Sequence, residues 1–427
     1  MTDQACGVSR FAFALALFTA AFALAPADPA ASASFKFRKV VDNFDLIPDG
    51  GGAMFSPRGM PSTDGNWVVF VDANTRTIWR TTPRGGKLKS LIGPDTRIPG
   101  GWGKFAVPQP SLIQMYADTL VLVPDCADTC QPPGAGGAFP GIFSRSVLGG
   151  PIATLIDRHA TSDTFPGDDK SFHGFTGDFR TGDGLLAFMN RQKVFAVPLG
   201  GGAITPVAGD QDKDFTPPQP HCCNFDGPSV RDGRVFLRGS NVNGHATLFQ
   251  VRSNGNPLSF RAIATGNMHP PKTPPDHLFD IFEFQSPVVD QTHVFRGAST
   301  GTGGTIKGIY SKGTDGLTRL VDSNQAIPGG TGTFTFEFGG RGSPILASNG
   351  IVVFGDETNG KRGLYAVRQS GGRIYKIIAT GDPLNGRTLG GALDVGRGSL
   401  SGNTLVFWAQ YGNFQGEGIF STEVVLP

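Results

Sequence analysis

Seven short apolar runs, each ending on a bulky residue, recur along the chain: WVVF at Phe70, TLVL at Leu122, LLAF at Phe188, RVF at Phe236, HVF at Phe295, IVVF at Phe354 and TLVF at Phe407. They stand roughly 48–66 residues apart, a period that belongs to a repeated supersecondary unit. After each comes a second run (TIWR, GIFSR, KVFAV, TLFQV, GIYSK, GLYAV, GIFST), and after six of these a third (LKSLIG, IATLID, ITPVAG, RAIATG, LTRLVD, YKIIATG). A Pro-, Ser- and Gly-rich lead precedes each anchor, as in GMPSTDG, DGPSVRDG and GSPILASNG. One repeat therefore reads as four short strands, A to D. The links agree: Asp64-Gly65, Asp183-Gly184, Asp232-Gly233 and Asn349-Gly350 fall between A and B, and Gly-Gly, Asn-Gly or Asp-Gly pairs between C and D. Such pairs take the positive φ values of tight hairpins.

The seventh repeat is one strand short, because its C run, GIFSTEVV, reaches the end of the sequence. The missing strand is at the other terminus. Residues 41–50 (VDNFDLIPDG) align without gaps on residues 321–330 (VDSNQAIPGG), and Pro48, Pro99 and Pro328 coincide. FRKVVD is therefore a D strand without its own repeat. A lone four-stranded sheet leaves both faces uncovered, whereas seven arranged radially cover one another. The expected fold is all-β: a seven-bladed β-propeller of four-stranded blades, the last blade closed by the N-terminal strand in a 3+1 arrangement. Blade 7 is expected to comprise residues 397–427 plus 35–45, within a single domain spanning 34–427.

Composition fits this and excludes other classes. With 62 Gly and 32 Pro in 427 residues, long helices and coiled coils would be broken repeatedly. Disorder is excluded by 39% hydrophobic residues and 34 Phe, which supply a large core. A net charge of +2 leaves no electrostatic footprint for nucleic acid.

Residues 11–25 read FAFALALFTAAFALA, with Thr19 the only polar residue and Arg10 before it. The run is too short for a membrane span, and Ala31-Ser32-Ala33 is an A-x-A cleavage site. Residues 1–33 are expected to be a secretory signal peptide. The mature chain would begin near Ser34 and be secreted or periplasmic, with no transmembrane anchor.

The units IPGGxGxF (98–105 and 327–334), GxxVF or GxxAF (350–354 and 184–188) and GIY, GLY or GIF (308–310, 363–365 and 418–420) resemble those of exported bacterial "choice-of-anchor" tandem-repeat proteins of the NxxGxxAF type. The resemblance covers essentially the whole mature chain. It implies an exported repeat protein and carries over no catalytic residue. The B–C–D pattern is also similar to TolB-type propeller repeats.

In a propeller, the D–A crossovers and B–C loops share one face, where function usually resides. Residues common to all repeats read as packing, so the informative positions are departures from the repeat. Cys126 and Cys130 in the blade 2 B–C loop, and Cys222 and Cys223 in the next crossover but one, survive processing. An even count in an exported chain points to disulfides, and three pairings are open. A zinc site from Cys126, Cys130, His221 and Cys222 or Cys223 is the alternative. Asp210, Asp212 and Asp214 alternate along one crossover, a pattern that suits Ca²⁺ or a solvated turn. No other cofactor is expected. His269, His277 and Glu283 share the blade 4–5 crossover and are the candidates for acid–base work. Residues 297–301 match GxSxG but lack the strand–turn–helix context of a nucleophile elbow.

The expected function is non-catalytic binding of an extracellular or periplasmic ligand, glycan or protein on the D–A/B–C face, by a monomer. A glycan hydrolase or lyase working at the channel mouth is the first alternative, and an envelope scaffold the second.

Overall fold

The computed structural model describes residues 34–48, 50–99, 103–105, 112–124, 141–157, 175–190, 193–209, 226–240, 246–252, 261–282, 288–289, 292–338, 341–342, 344–412 and 416–427. Every named element in them is a β-strand. Seven antiparallel sheets follow one another along the chain and build a seven-bladed β-propeller. Blade 6 shows the plan, with strands Ile345–Ser348, Ile351–Thr358, Lys361–Arg368 and Tyr375–Ala379 each paired to the one before. Its A–B turn is Asn349-Gly350, at φ 50° and 71°, the two positive values that a primed hairpin turn requires.

The ring closes as expected. Strand Arg38–Asp42 pairs with Gly416–Glu423, setting Val41 opposite Ile419. The Thr422 hydroxyl donates to the carbonyl of Lys36 at 3.1 Å. The blade 7 sheet reaches further upstream than the expected start at Arg397. Its inner strand is broken in two, and both Arg387–Asp394 and Leu400–Ser401 pair with Thr404–Tyr411. The interruption is a tight turn, in which the N–H of Ser399 donates to the carbonyl of Gly396. Blade 5 is broken in the same way, with Leu278–Phe282 and Val288–Val289 on one side of Thr292–Gly301.

Each blade–blade interface holds one apolar cluster, and strand alternation decides which residue goes where. In blade 1, Val69 and Val71 pack toward blade 2 with Leu120 and Leu122. Val68 and Phe70 pack toward blade 7 with Val406 and Ile419, joined there by Val40 and Val41 of the closing strand. The same division recurs between blades 2 and 3, 3 and 4, 4 and 5, 5 and 6 and 6 and 7. A middle strand is thus buried on both faces, which is why it reads as an unbroken apolar run.

Every outermost strand carries one extra residue. Ile78 faces Ile92 while Trp79 faces Ser90, so Leu91 has no partner. Leu155, Val207, Ile263, Leu320, Ile377 and Val40 occupy the same position in the other blades. A bulge of this kind sends two successive side chains to the same side. That accounts for pairs such as Leu320-Val321 and Ile377-Ile378, both members of which are buried.

Phenylalanines from the D–A crossovers cap these wedges. Phe334 lies edge-on to Tyr365 at 5.1 Å and to Phe354 at 5.4 Å, and Phe55 takes the equivalent place against Trp79 at 5.3 Å. In blades 1 and 6 a carboxylate of the B strand holds the crossover: Asp356 Oδ1 accepts the N–H groups of Thr335 and Phe336 at 2.9 and 2.6 Å, and Asp72 Oδ1 accepts that of Ser56 at 2.6 Å.

Candidate functional site

The inner strands run down the central channel. Their exposed edges have no fifth strand to pair with, so polar side chains and single backbone contacts join them around the ring. Between blades 7 and 1, the N–H of Thr63 donates to the carbonyl of Gly398 at 2.7 Å, and the Ser399 hydroxyl to that of Pro61 at 2.6 Å. Ser62 Oγ accepts the N–H of Met115 at 2.9 Å, linking blade 1 to blade 2. Gln114 bridges blade 2 to blade 3, donating to the Phe179 carbonyl at 3.0 Å and accepting the N–H of Thr181 at 3.2 Å. Asp183 accepts the N–H of Asp232 across blades 3 and 4. Close approach demands small residues: a Cβ on Gly182 would lie 2.3 Å from the Val230 carbonyl oxygen, and one on Gly398 2.0 Å from Ser62 Oγ.

This ring encloses a cavity of about 240 Å³, at the end of the channel formed by the A–B turns. Arg180, Arg231 and Arg397 line it together with the carboxylate of Asp64. Thr63, Thr181, Ser229, Ser348 and Ser401 also line it. Asp64 Oδ1 accepts the N–H groups of Asn66 and Trp67 at 2.8 and 2.7 Å, shaping the first A–B turn. Burial raises its carboxyl above the ordinary value, helped by the negative charge of Asp118. The lining thus holds both cationic and acidic side chains, and Arg231 is ion-paired with Asp232 at 3.8 Å.

The sequence pointed to the opposite face, and its candidates divide. His277 is buried, with Nδ1 3.4 Å from the Ser299 hydroxyl. Its Nε2 has no hydrogen-bond partner and stands against the backbone of Gly301, where a Cβ would lie 2.7 Å away. Ser299 is itself fully buried within strand Thr292–Gly301, opposite Ile306. The GxSxG match is therefore mid-strand, with no elbow, as the sequence context indicated. His269 is exposed. Nothing places it with His277 in a shared acid–base pair. Neighbouring Asp276 accepts both the N–H and the hydroxyl of Thr302, which hold its carboxyl below the ordinary value. Glu283, the cysteines 126, 130, 222 and 223, and the aspartates 210, 212 and 214 lie outside the described residues. Among the described residues no group of three or more His, Cys, Asp or Glu is placed to hold a metal ion.

The arginines were missed from sequence although a signal exists. In GDFRTGDG, GPSVRDG and GRGSLSG a cation interrupts a lead that is otherwise small and polar. These are departures from the repeat of the kind that mark function.

No family model and no curated protein matches the chain, so the likeness to the choice-of-anchor repeat proteins rests on sequence motifs alone. Solved structures of similar shape exist. TolB from Acinetobacter baumannii is 10% identical at a TM-score of 0.39, over 73% of this chain and 66% of that one. Prolyl oligopeptidase B from Galerina marginata is 9% identical at 0.48, over 87% and 48%. An oligogalacturonate lyase in complex with manganese is 10% identical at 0.47, over 92% and 98%. The chain thus spans less than two thirds of the first two. No residue assignment comes from these likenesses.

Proposed function

We propose that this chain is an exported, non-catalytic β-propeller that binds a small ligand inside its channel, at the end formed by the A–B turns. The observation that carries this reading is the cavity of about 240 Å³ walled by inner strands of six blades. A polar pocket built from a rigid ring and lined by a few convergent charges is a binding-site geometry. The signal-like segment at residues 11–25 and the A-x-A site at 31–33 support export to the periplasm or beyond, and among the described residues no helix is long and apolar enough to cross a membrane.

The test is a thermal-shift screen of small metabolites on the mature chain, repeated with Ser348→Trp, which fills the cavity. A ligand that stabilises the wild-type protein and not the filled variant supports the reading. Ligands that stabilise both equally overturn it. One observation favours the enzyme alternative: Asp64, a partly buried carboxyl raised above its ordinary value, lines the cavity, and such groups collect at active sites. Glycan turnover lost in Asp64→Asn would establish that alternative instead.

A further inference from the structure

We infer that the D–A face carries a membrane-docking prong: the crossover hairpin between blades 7 and 1, residues 43–48 and 50–55, which sets apolar side chains into the surface of a bilayer containing anionic lipid. The prong lies at the other end of the channel from the cavity and does not depend on the cavity being a binding site.

The chain supplies its own comparison, because three crossovers build the same hairpin. The N–H groups of Ile47, Ile98 and Ile327 donate across it to the carbonyls of Ala53, Gly103 and Gly332. These isoleucines turn inward and are buried, as are Phe55, Phe105 and Phe334. The outward positions differ. Between blades 1 and 2 they hold Asp95, Arg97 and Lys104, with Lys104 Nζ 2.6 Å from Asp95 Oδ1. Between blades 5 and 6 they hold Asn324, Ala326 and Thr333, all exposed. Between blades 7 and 1 they hold Phe44, Leu46 and Met54, which are 45%, 60% and 50% exposed. The hairpin therefore needs nothing apolar at these places. Among the described residues, three of the six exposed large apolar side chains sit on this one hairpin, and apolar groups gathered in this way mark an interaction surface. The hairpin also has one residue more between its bridged pair, Leu46 and Met54, than the other two have. A Cβ on Gly51 or Gly52 at its tip would meet nothing within 4 Å. The tip stands clear of its surroundings, a projection and not a groove.

The charges around the prong select its occupant. Arg387, on the crossover to one side, places its guanidinium 4.0 Å from the centroid of the Phe44 ring. Arg97 stands on the crossover to the other side. Arg76 lies in the blade 1 B–C loop, which is tied to the hairpin where Asn74 Nδ2 donates to the Met54 carbonyl at 2.9 Å. Arg58 is near the start of the inner strand of blade 1 (Pro57–Thr63). All four arginines are exposed, and among the described residues none forms an ion pair. The neighbouring carboxylates are matched or turned inward. Asp45, Asp95 and Asp382 lie 2.8, 2.6 and 2.9 Å from Lys39, Lys104 and Lys376. Asp42 and Asp72 are buried, and Glu417 accepts the Ser56 hydroxyl at 2.9 Å. Asp49 lies outside the described residues, and its single charge leaves the four arginines in excess. Apolar tips ringed by arginine match a surface that is negative outside and hydrocarbon beneath. The guanidinium groups meet lipid phosphates while Phe44, Leu46 and Met54 reach the acyl boundary.

The experiment is co-sedimentation of the mature protein with vesicles of phosphatidylcholine, alone or mixed with phosphatidylglycerol, at low and high salt. Three variants accompany wild type. Phe44→Asn/Leu46→Ala/Met54→Thr installs the outward residues of the blade 5–6 hairpin, which that hairpin already tolerates. Arg76→Gln/Arg97→Gln/Arg387→Gln removes charge. Leu148→Ala trims an exposed apolar side chain in a C–D turn on the opposite face. Wild type and Leu148→Ala are expected to bind the mixed vesicles about tenfold or more tighter than the neutral ones. The apolar triple variant should lose about tenfold or more of that binding. The arginine variant, or high salt, should remove the preference for phosphatidylglycerol. Melting temperatures of all variants should stay near wild type. Phe44→Trp gives a second reading, because its added fluorescence should be quenched by lipids brominated in the acyl chain. No sedimentation of wild type, equal binding to both compositions, binding unchanged in the apolar variant, or an unquenched Phe44→Trp overturns the inference. So does a wild type that dimerises through the prong, with the dimer lost in the apolar variant and no vesicle binding, since the occupant is then a second copy.

Discussion

His293 packs edge-on against Phe236, ring centroids 4.0 Å apart, and neither of its ring nitrogens has a hydrogen-bond partner. It stands where blades 4 and 5 meet, a histidine serving as a core aromatic. Burial alone drags its pKa from 6.5 to about 3.

That depression sets a pH dependence with a definite sign. The unfolded chain protonates this imidazole below about pH 6.5, whereas the folded chain does so only near pH 3. Between those values the unfolded state holds more protons, so stability falls as pH drops through the window. At pH 4 the loss from this one group is on the order of 3 kcal/mol. His293→Phe removes it. Urea denaturation at pH 7 and pH 4 should show a drop in wild type that is smaller by that amount in the variant; equal drops would count against the assignment.

The closing strand should be the sensitive point of the ring. Val41 is fully buried and sits in the cluster shared by blades 7 and 1. Val41→Asp places a charge there and should cost about 3 kcal/mol or more. Lys36→Asp, on the same terminal segment but facing solvent in part, should cost under about 0.5 kcal/mol. Guanidinium midpoints for the two variants check this.

Two channel glycines should differ in severity. Gly182→Ala drives its Cβ into a backbone oxygen, that of Val230, at 2.3 Å, whereas Gly398→Ala meets the hydroxyl of Ser62 at 2.0 Å. A hydroxyl can rotate away and a sheet carbonyl cannot. We expect about 2–4 kcal/mol for Gly182→Ala and about 1–2 for Gly398→Ala. Adding Ser62→Ala should recover part of the second loss and none of the first, a coupling read from a double-mutant cycle.

Asp356 binds two crossover N–H groups, yet burial raises its carboxyl above the ordinary value. Ionising it in the folded protein is therefore uphill, and this contribution weakens as pH rises from the unfolded value through the folded one. Asp356→Asn keeps an acceptor oxygen without the charge and should be tolerated at pH 7. Asp356→Ala leaves both N–H groups unpaired and should cost about 2 kcal/mol. Thermal melts of the two variants at pH 7 separate charge from hydrogen bonding.

The architecture was legible because the repeat supplies its own internal comparison. One D strand at residues 37–42 with no blade, and one blade with no D strand, leave a single consistent closure, and Val41 faces Ile419 accordingly. The broken inner strands of blades 5 and 7 were not legible. The strand segment Arg387–Asp394 resembles an ordinary crossover until its pairing with Thr404–Tyr411 is seen. The bulges were equally hidden. A pair such as Ile377-Ile378 violates simple alternation, and only the skipped register between Leu364 and Tyr365 explains it.

The site was read less well, for a physical reason. Reasoning from chemistry favoured histidines and carboxylates, which announce catalysis. His277 proves to be enclosed beside Ser299, and His269 is exposed without it. The arginines come together by convergence, and convergence is a property of the ring. Arg180 and Arg397 are far apart in sequence and share one cavity only because blade 7 faces blades 3 and 4.

A ring of seven sheets also has seven outward rims, each a row of backbone donors and acceptors open to any passing strand. Such rims are where β proteins recruit copies of themselves into fibres. The unpaired residue in each outermost strand, from Leu91 in blade 1 to Val40 in blade 7, breaks the even spacing that an incoming strand would have to match. The same single-residue insertion that turns two aliphatic side chains into the core therefore also guards every rim against intermolecular pairing.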